Sequence, residues 1–153
     1  MKSVVFCSGS FDMLHAGHVL FLENCKKLGD ILVVGVGTDA AVRSNKGSDR
    51  PIVSEVAREK LVGSLKVVNH CFLNENDLEL ESYLESVFSK LHPDIYAVNS
   101  DAVSIELREW TAARHGVKFK VMNRDAPVGC AGISSTGIIE RVKGMDEKTR
   151  EDR

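Results

Sequence analysis

The sequence predicts an α/β fold: a single doubly wound, Rossmann-like parallel sheet of about five strands with flanking helices. Short apolar runs, rich in Val and Ile, alternate with longer stretches of helical period. The five strand candidates are 3–8, 31–37, 67–73, 94–99 and 117–122. This alternation is typical of βαβ units, in which helices cover both faces of a parallel sheet.

The predicted domain organisation is simple. The chain has 153 residues, of which 43% are hydrophobic, so a single domain can bury a core without disulfides or metals. No internal repeat, low-complexity linker or shift in composition indicates a second domain. We therefore expect one domain over residues 1–144 and a charged C-terminal tail over 145–153 that frays.

Charge and hydropathy exclude several classes of partner. Twenty basic residues against 22 acidic ones give a formal net charge of −2, so no overall field attracts nucleic acid or anionic lipid. No run approaches the ~18 apolar residues that a membrane span requires. Widely separated cysteines without zinc or redox spacing are interpreted as buried thiols: Cys7, Cys25, Cys71 and Cys130. The sequence thus predicts a cytoplasmic protein that binds neither nucleic acid nor membrane.

Helices are predicted after each strand. The first is expected to end at Gly29 in a left-handed conformation, after an apolar face that includes Phe21 and Leu22. Trp110 is predicted to lie in the core or at a subunit contact. The later helices are predicted over 54–66, 78–91 and 104–115, with a last one beginning near 134 or 135.

A small-residue loop and two histidines follow the first strand. The loop is GSFD at 9–12, and the following helix opens with HAGH at 15–18. Unpaired backbone N–H groups and the helix dipole favour an anion at such a helix start. His15 and His18 project to the same side of a helical turn, and Gly17 removes the Cβ that would block a ligand. Histidines at a helix start are otherwise commonly caps, but this context predicts a polyphosphate site.

These segments resemble the GTFD and HxGH signature of the cytidylyltransferase-like nucleotidyltransferase superfamily, with Ser10 in place of the usual Thr. Other parts of the chain are similar to the same superfamily. They are LGD at 28–30 with the strand and TD that follow it, KGSDRP at 46–51 with Arg58, and GISST at 132–136, which resembles the ISTT motif.

The resemblance implies transfer of a nucleoside monophosphate from an NTP to a phosphorylated small molecule, with release of pyrophosphate. It implies His15, His18, Lys46 and Arg58 as catalytic residues that hold and neutralise the phosphates. It implies a nucleotide site built from Gly9, Ser10, Phe11, Gly17, Ile133, Ser134, Ser135 and Thr136. Mg²⁺ is the expected cofactor, held mainly by substrate phosphates, and a homodimer is implied.

Four further residues are weaker site candidates, namely Asp12, Asp39, Asn99 and Asp101. Asp12 is either a partner of Mg²⁺ or a cap of its own turn. Asp39 follows the second strand and either faces the acceptor or caps the next helix, with the cap favoured. Ser54 is a candidate cap for the helix after that one. Asn99 and Asp101 follow the fourth strand at the same sheet edge, where the superfamily commonly meets the base or acceptor.

Substrate identity depends on two loops. GCAG at 129–132 lacks the arginine of the RTEG segment that glycerol-3-phosphate cytidylyltransferases typically carry, and the loop at 46–51 is similar to that of heptose-1-phosphate adenylyltransferases. We therefore favour ATP and a sugar 1-phosphate, with CTP and glycerol 3-phosphate or a similar alcohol phosphate as the alternative. VNSD at 98–101 departs from the KGGD that those adenylyltransferases usually carry. A non-catalytic nucleotide-binding module is the alternative from another class.

Overall fold

A computed structural model describes residues 1–74, 79–123, 128–130 and 133–151. Its strands are β1 (Val4–Gly9), β2 (Ile31–Val36), β3 (His70–Leu73), β4 (Ile95–Asn99) and β5 (Lys118–Met122). They form one sheet in the order β3-β2-β1-β4-β5, and every neighbouring pair is parallel. The predicted fold class is therefore confirmed.

Helices connect the strands in the predicted alternation. They are α1 (Ala16–Lys26), α2 (Asp39–Lys46), α3 (Glu55–Gly63), α4 (Leu80–Leu91), α5 (Ile105–Arg114) and α6 (Ser135–Glu151). The last helix continues past residue 144 without a break, so the tail boundary expected there does not coincide with a helix end. Among the described residues, no helix is both long enough and apolar enough to cross a membrane.

Two apolar layers, one on each face of the sheet, form the core. Successive side chains of a strand point to opposite faces, and β1 divides accordingly. Val5 and Cys7 pack in the layer under α1 and α3, whereas Phe6 packs in the layer under α4 and α5. Both faces of β1 and β2 are buried, which explains why these strands appear in the sequence as continuous apolar runs.

Gly29 has a different role from the one predicted. It does not adopt the left-handed conformation, and the C-cap of α1 is Lys27 in the right-handed region. A Cβ at residue 29 would lie 2.7 Å from Cγ2 of Val5 and 2.9 Å from Oγ of Ser3. Glycine is required here because the chain passes close to β1, not because of the backbone angles.

Two further expectations are corrected, and the one for Trp110 is narrowed. Trp110 is 52% exposed, which excludes the core of this chain, and the predicted subunit contact stays a prediction. The guanidinium carbon of Arg114 lies 4.5 Å from its ring centroid, a cation–π contact on the surface of α5. Strand β3 begins at His70 rather than at residue 67. Cys7 and Cys25 are buried as predicted, whereas Cys71 and Cys130 are only half-buried.

Gly35 in β2 gives a first testable prediction. A Cβ at this position would lie 2.5 Å from the Tyr83 hydroxyl and 2.6 Å from Oδ1 of Asn74. We expect Gly35→Ala to lower the free energy of unfolding by about 1–3 kcal/mol, because the buried neighbours must shift. Gly144→Ala is the matched control, since its Cβ would meet nothing within 4 Å. Urea denaturation of both variants measures the effect, and equal stabilities would contradict the packing described.

Candidate active site

A cleft of about 1180 Å³ lies at the carboxyl edge of the sheet. The residues that end β1 and β4, Gly9 and Asn99, both line it. The sheet grows from β1 through β2 to β3 on one side and through β4 to β5 on the other. The strand order therefore reverses between β1 and β4, and open α/β sheets bind their ligands at such a point.

The two histidines stack on each other at the start of α1. Their ring centroids are 3.9 Å apart with an angle of 22° between the planes, and both line the cleft. His15 is also the N-cap, because its Nδ1 accepts a hydrogen bond from the Gly17 N–H at 3.1 Å. With Nδ1 as the acceptor, the neutral imidazole carries its proton on Nε2. The two imidazoles lie on the same side of the helix, as predicted. Because His15 caps α1 through Nδ1, its Nε2–H can still bind a ligand.

Phe11 and Gly17 support this pair from either side. The edge of the Phe11 ring meets the His18 ring at a centroid distance of 5.6 Å, and Phe11 is almost completely buried. A Cβ on residue 17 would lie 3.1 Å from the His15 ring. Gly17 therefore leaves room for the His15 imidazole, whereas the sequence predicted room for a ligand. Phe11 supports His18 as a packing residue.

Lys46 and the start of α6 line the same cleft. The Lys46 ammonium donates to Oγ of Ser10 at 2.8 Å. The KGSDRP segment that begins at Lys46 is thereby joined to the GSFD loop. Ser134 caps α6, because its Oγ accepts from the Gly137 N–H at 3.0 Å. The cleft therefore combines two helix N-termini, a lysine and two imidazoles, an arrangement suited to a polyphosphate. Ile133 and Thr136 also line it.

Asp12 is fully buried, and its carboxylate joins two loops. It accepts from Nε of Arg50 at 2.7 Å and from the backbone N–H groups of Ile52 and Val53 at 3.0 to 3.1 Å. The carbonyl oxygen of Asp12 accepts from Oγ of Ser135 at 2.5 Å. The interpretation of Asp12 as a cap of its own turn is thus corrected. Asp12 is also not among the described residues that line the cleft.

The pKa of Asp12 reflects these contacts. Burial raises the pKa, but the hydrogen bonds from the Val53 and Ile52 N–H groups and the Arg50 guanidinium outweigh burial. The net pKa is lower than that of an ordinary aspartate. The carboxylate is accordingly ionised near neutral pH and bound to the loop that follows Lys46.

Arg58 is also buried, although the resemblance implies that it meets the phosphates. Its Nε donates to the Val53 carbonyl at 2.8 Å, Nη1 to the Ser10 carbonyl at 2.5 Å and Nη2 to Oδ1 of Asp39 at 2.7 Å. Because internal acceptors take all three nitrogens, Arg58 positions the GSFD loop. It is not among the described residues that line the cleft.

Thr38, rather than Asp39, caps α2. The hydroxyl of Thr38 accepts from the Ala41 N–H at 3.2 Å, whereas the Asp39 carboxylate is paired with Arg58. Ser54 is the N-cap residue of α3, as the sequence suggested, but its side chain makes no capping hydrogen bond. The predicted cap at Asp39 is therefore replaced by the preceding residue.

Polar residues that the sequence analysis missed complete the cleft. Asn99 and Asp101 line it as predicted, but so do Asn74, Tyr83 and Arg108. The last two lie on amphipathic helices, whose spacing indicates only packing. Their position in the sequence could have indicated them, because Asn74 follows the carboxyl end of β3 and α5 begins after the carboxyl end of β4. Ligands of open α/β sheets bind at this edge.

The side chains that could ligate a metal ion bear on the expected Mg²⁺. Among the described residues, no three His, Cys, Asp or Glu side chains are placed to hold a metal ion. The Asp12 carboxylate, the candidate partner, is enclosed by its three donors. The described residues therefore offer no preformed group of three such ligands for Mg²⁺.

Comparison with known proteins points to one family. A family model described as cytidylyltransferase-like matches residues 6–141. Similar curated proteins include two named bifunctional protein HldE, from Helicobacter pylori at 34% identity and from Citrifermentans bemidjiense at 39%, each over 144 residues. These matches cover 93% and 92% of this chain but only 28% and 27% of the relatives. The chain thus spans little more than a quarter of their length.

Solved structures agree in fold. A lipopolysaccharide core biosynthesis protein from Thermoplasma volcanium is 31% identical, with a TM-score of 0.66 over 80% of this chain and 96% of that one. A pantothenate synthetase from Thermus thermophilus is 13% identical, with a TM-score of 0.57 over 79% of this chain and 55% of that one. The second likeness shows the fold alone.

Proposed function

Since the chain belongs to the cytidylyltransferase-like family, we propose that it transfers a nucleoside monophosphate from an NTP to a phosphorylated small molecule. The observation that carries this proposal is the stacked pair of His15 and His18 in one cleft with Lys46. Two imidazoles can donate hydrogen bonds to a triphosphate, while the ammonium and the helix N-terminus offset its negative charge. Pyrophosphate is the second product.

The reaction is an in-line displacement at phosphorus. An oxygen of the acceptor's phosphate attacks the α-phosphorus, a new P–O bond forms, and the bond to the bridging oxygen of pyrophosphate breaks with its electron pair. The acceptor phosphate is already anionic, so no general base is needed. His15, His18 and Lys46 donate to phosphate oxygens whose charge grows in the transition state. Arg58 contributes indirectly, by fixing the carbonyl of Ser10.

We propose Mg²⁺ as the cofactor, bound chiefly to oxygens of the nucleotide's phosphates. When bound, it neutralises negative charge on those oxygens. The described chain offers no group of carboxylates to hold it, and Mg²⁺ characteristically keeps waters and substrate phosphates as ligands. Asp12 has no part in this proposal, because its oxygens are already bonded within the protein.

We propose ATP and a sugar 1-phosphate, with a heptose 1-phosphate first, as the substrates. The loop at 46–51 is similar to that of heptose-1-phosphate adenylyltransferases, and several relatives carry the name HldE. The described structure adds that this loop is bonded to the GSFD segment through Asp12 and Arg50. CTP with glycerol 3-phosphate is the alternative pair. A homodimer, which the resemblance implies, belongs to the same proposal.

The alternative from another class is a domain that binds a nucleotide without turnover. Such a domain needs affinity, but it does not need charge aimed at a leaving group. Here His15, His18 and Lys46 line a cleft large enough for two substrates. This arrangement favours the enzyme over the binding domain.

A substrate panel tests the proposal. The purified protein with Mg²⁺ is given ATP, CTP, GTP or UTP together with sugar 1-phosphates, glycerol 3-phosphate, phosphocholine or FMN, and pyrophosphate release is followed. We expect turnover with one pair, namely ATP and a sugar 1-phosphate. Nucleotide binding by calorimetry without pyrophosphate from any pair would favour the binding domain instead.

A further inference from the structure

The cleft extends beyond the phosphate-binding histidines onto the other face of the sheet. We call this part the distal arm, and it is lined by Asn74, Tyr83, Asn99, Asp101 and Arg108. These residues belong to the carboxyl ends of β3 and β4 and to α4 and α5. The core residues of α4 and α5 lie in the apolar layer opposite that of α1. The distal arm is therefore separate from the imidazole pair but continuous with it through the cleft.

Hydrogen bonds fix the polar groups of the distal arm. The Tyr83 hydroxyl donates to Oδ1 of Asn74 at 2.7 Å, and burial raises the pKa of Tyr83, so the hydroxyl keeps this proton. The amide nitrogen of Asn74 then remains a donor and the Tyr83 oxygen an acceptor. This hydrogen bond fixes the Tyr83 hydroxyl and the Asn74 amide relative to each other at the edge of the sheet.

Arg108 is the cation of the distal arm. Its Nε donates to the Val103 carbonyl at 2.8 Å and its Nη1 to the Tyr96 hydroxyl. Tyr96 is fully buried, so these bonds hold the planar guanidinium in one orientation at the cleft wall. Nη2 makes no hydrogen bond to the described part of the chain. Two donor hydrogens therefore remain for a ligand.

We propose that the distal arm binds the hydroxyl groups of a sugar phosphate acceptor, with Arg108, Asn74 and Tyr83 as the residues that select it. The proposal rests on the proposed function, which places the acceptor's phosphate at the histidine end of the same cleft. Neighbouring hydroxyls of a sugar each donate and accept, and they require fixed donors and acceptors side by side. Arg108 and the Asn74 amide supply donors, while the Tyr83 oxygen supplies an acceptor. A small polyol phosphate would leave most of them unused.

Separate binding and kinetic measurements on Arg108→Gln and Tyr83→Phe test this inference. Calorimetry with a heptose 1-phosphate alone, and with ATP alone, needs no turnover and is independent of the reaction. We expect each variant to weaken heptose 1-phosphate binding about tenfold while ATP binding changes less than about twofold, since one hydrogen bond to a charged or polar partner is lost. In turnover, the KM for the sugar phosphate rises more than kcat falls.

Glycerol 3-phosphate is the second acceptor, with which the heptose 1-phosphate is compared. Arg114→Gln is the matched control for Arg108→Gln, because Arg114 lies on the same helix but is not among the described residues that line the cleft. Arg108→Lys, which keeps the charge, is expected to recover part of the sugar phosphate affinity. The preference for the heptose phosphate over glycerol 3-phosphate should fall in Arg108→Gln and stay constant in Arg114→Gln. Wild-type protein that binds no sugar phosphate would overturn the inference, as would equal weakening for ATP. Sugar phosphate binding without turnover would support it and count against the proposed reaction only.

Discussion

His18→Ala is expected to lower kcat for pyrophosphate release by about 10²- to 10³-fold, the range for loss of one transition-state donor. The His18 ring stacks on His15 and lines the cleft. Its loss removes one of the donors to the phosphate oxygens, and the other groups stay in place. Thermal unfolding should change little, because the side chain is only half-buried. A kcat within about threefold of wild type would contradict the assigned role of His18.

His15 requires a more careful substitution, because it also caps α1. His15→Ala removes the imidazole and the cap together, and loss of the cap alone costs about 0.5–2 kcal/mol of stability. His15→Asn keeps a capping side chain but removes the imidazole, so it should lose activity to a similar extent without that destabilisation. His70→Ala at the opposite, amino end of β3 is the matched control and should keep full activity.

Asp12→Asn is expected to lower the free energy of unfolding at pH 7 by about 3 kcal/mol, the cost of breaking a buried ion pair. The substitution removes the charge opposite Arg50 and places an amide NH₂ against donors that now bond a carboxylate. It also loosens the loop that follows Lys46, so kcat should fall as well. Asp49→Asn, an exposed aspartate of the same loop, is the control and should change neither quantity.

The pH dependence of stability gives a second readout for Asp12. Its pKa is lower in the folded protein than in the unfolded chain, so its stabilisation is complete above the unfolded value of about 4. It is lost as the pH falls through the lower pKa of the folded state. Denaturation at pH 7 and at pH 3 should therefore show a smaller difference between wild type and Asp12→Asn at pH 3. An equal difference at both values would indicate that the carboxylate is not the stabilising group.

The sequence predicted the fold because its signals are local. Continuous apolar runs such as that of β2 indicate strands buried on both faces, and the helices between them show period and caps. The errors arise where tertiary contacts decide. Gly29 resembles a helix terminator but is required by the approach of Val5, and Trp110 has an apolar context in sequence but lies on the surface.

The site was predicted where a motif sets the geometry by itself. His15 and His18 are three residues apart on one helix, so their common side follows from the period. Asp12 and Arg58 were misinterpreted because their partners are distant in the sequence, at Arg50 and Asp39 respectively. A charged residue in a motif can serve a ligand or hold a loop, and only its partners distinguish the two roles.

In the proposed reaction, a nucleoside monophosphate is transferred in this cleft to a phosphorylated acceptor. The most direct measurement is ³¹P NMR of the protein with Mg²⁺, ATP and a heptose 1-phosphate. We expect pyrophosphate and a nucleoside diphosphate sugar to appear in equal amounts, and both to form about 10²- to 10³-fold more slowly with His18→Ala. Formation of ADP with inorganic phosphate, or pyrophosphate together with free AMP and an unchanged sugar phosphate, would contradict the claim.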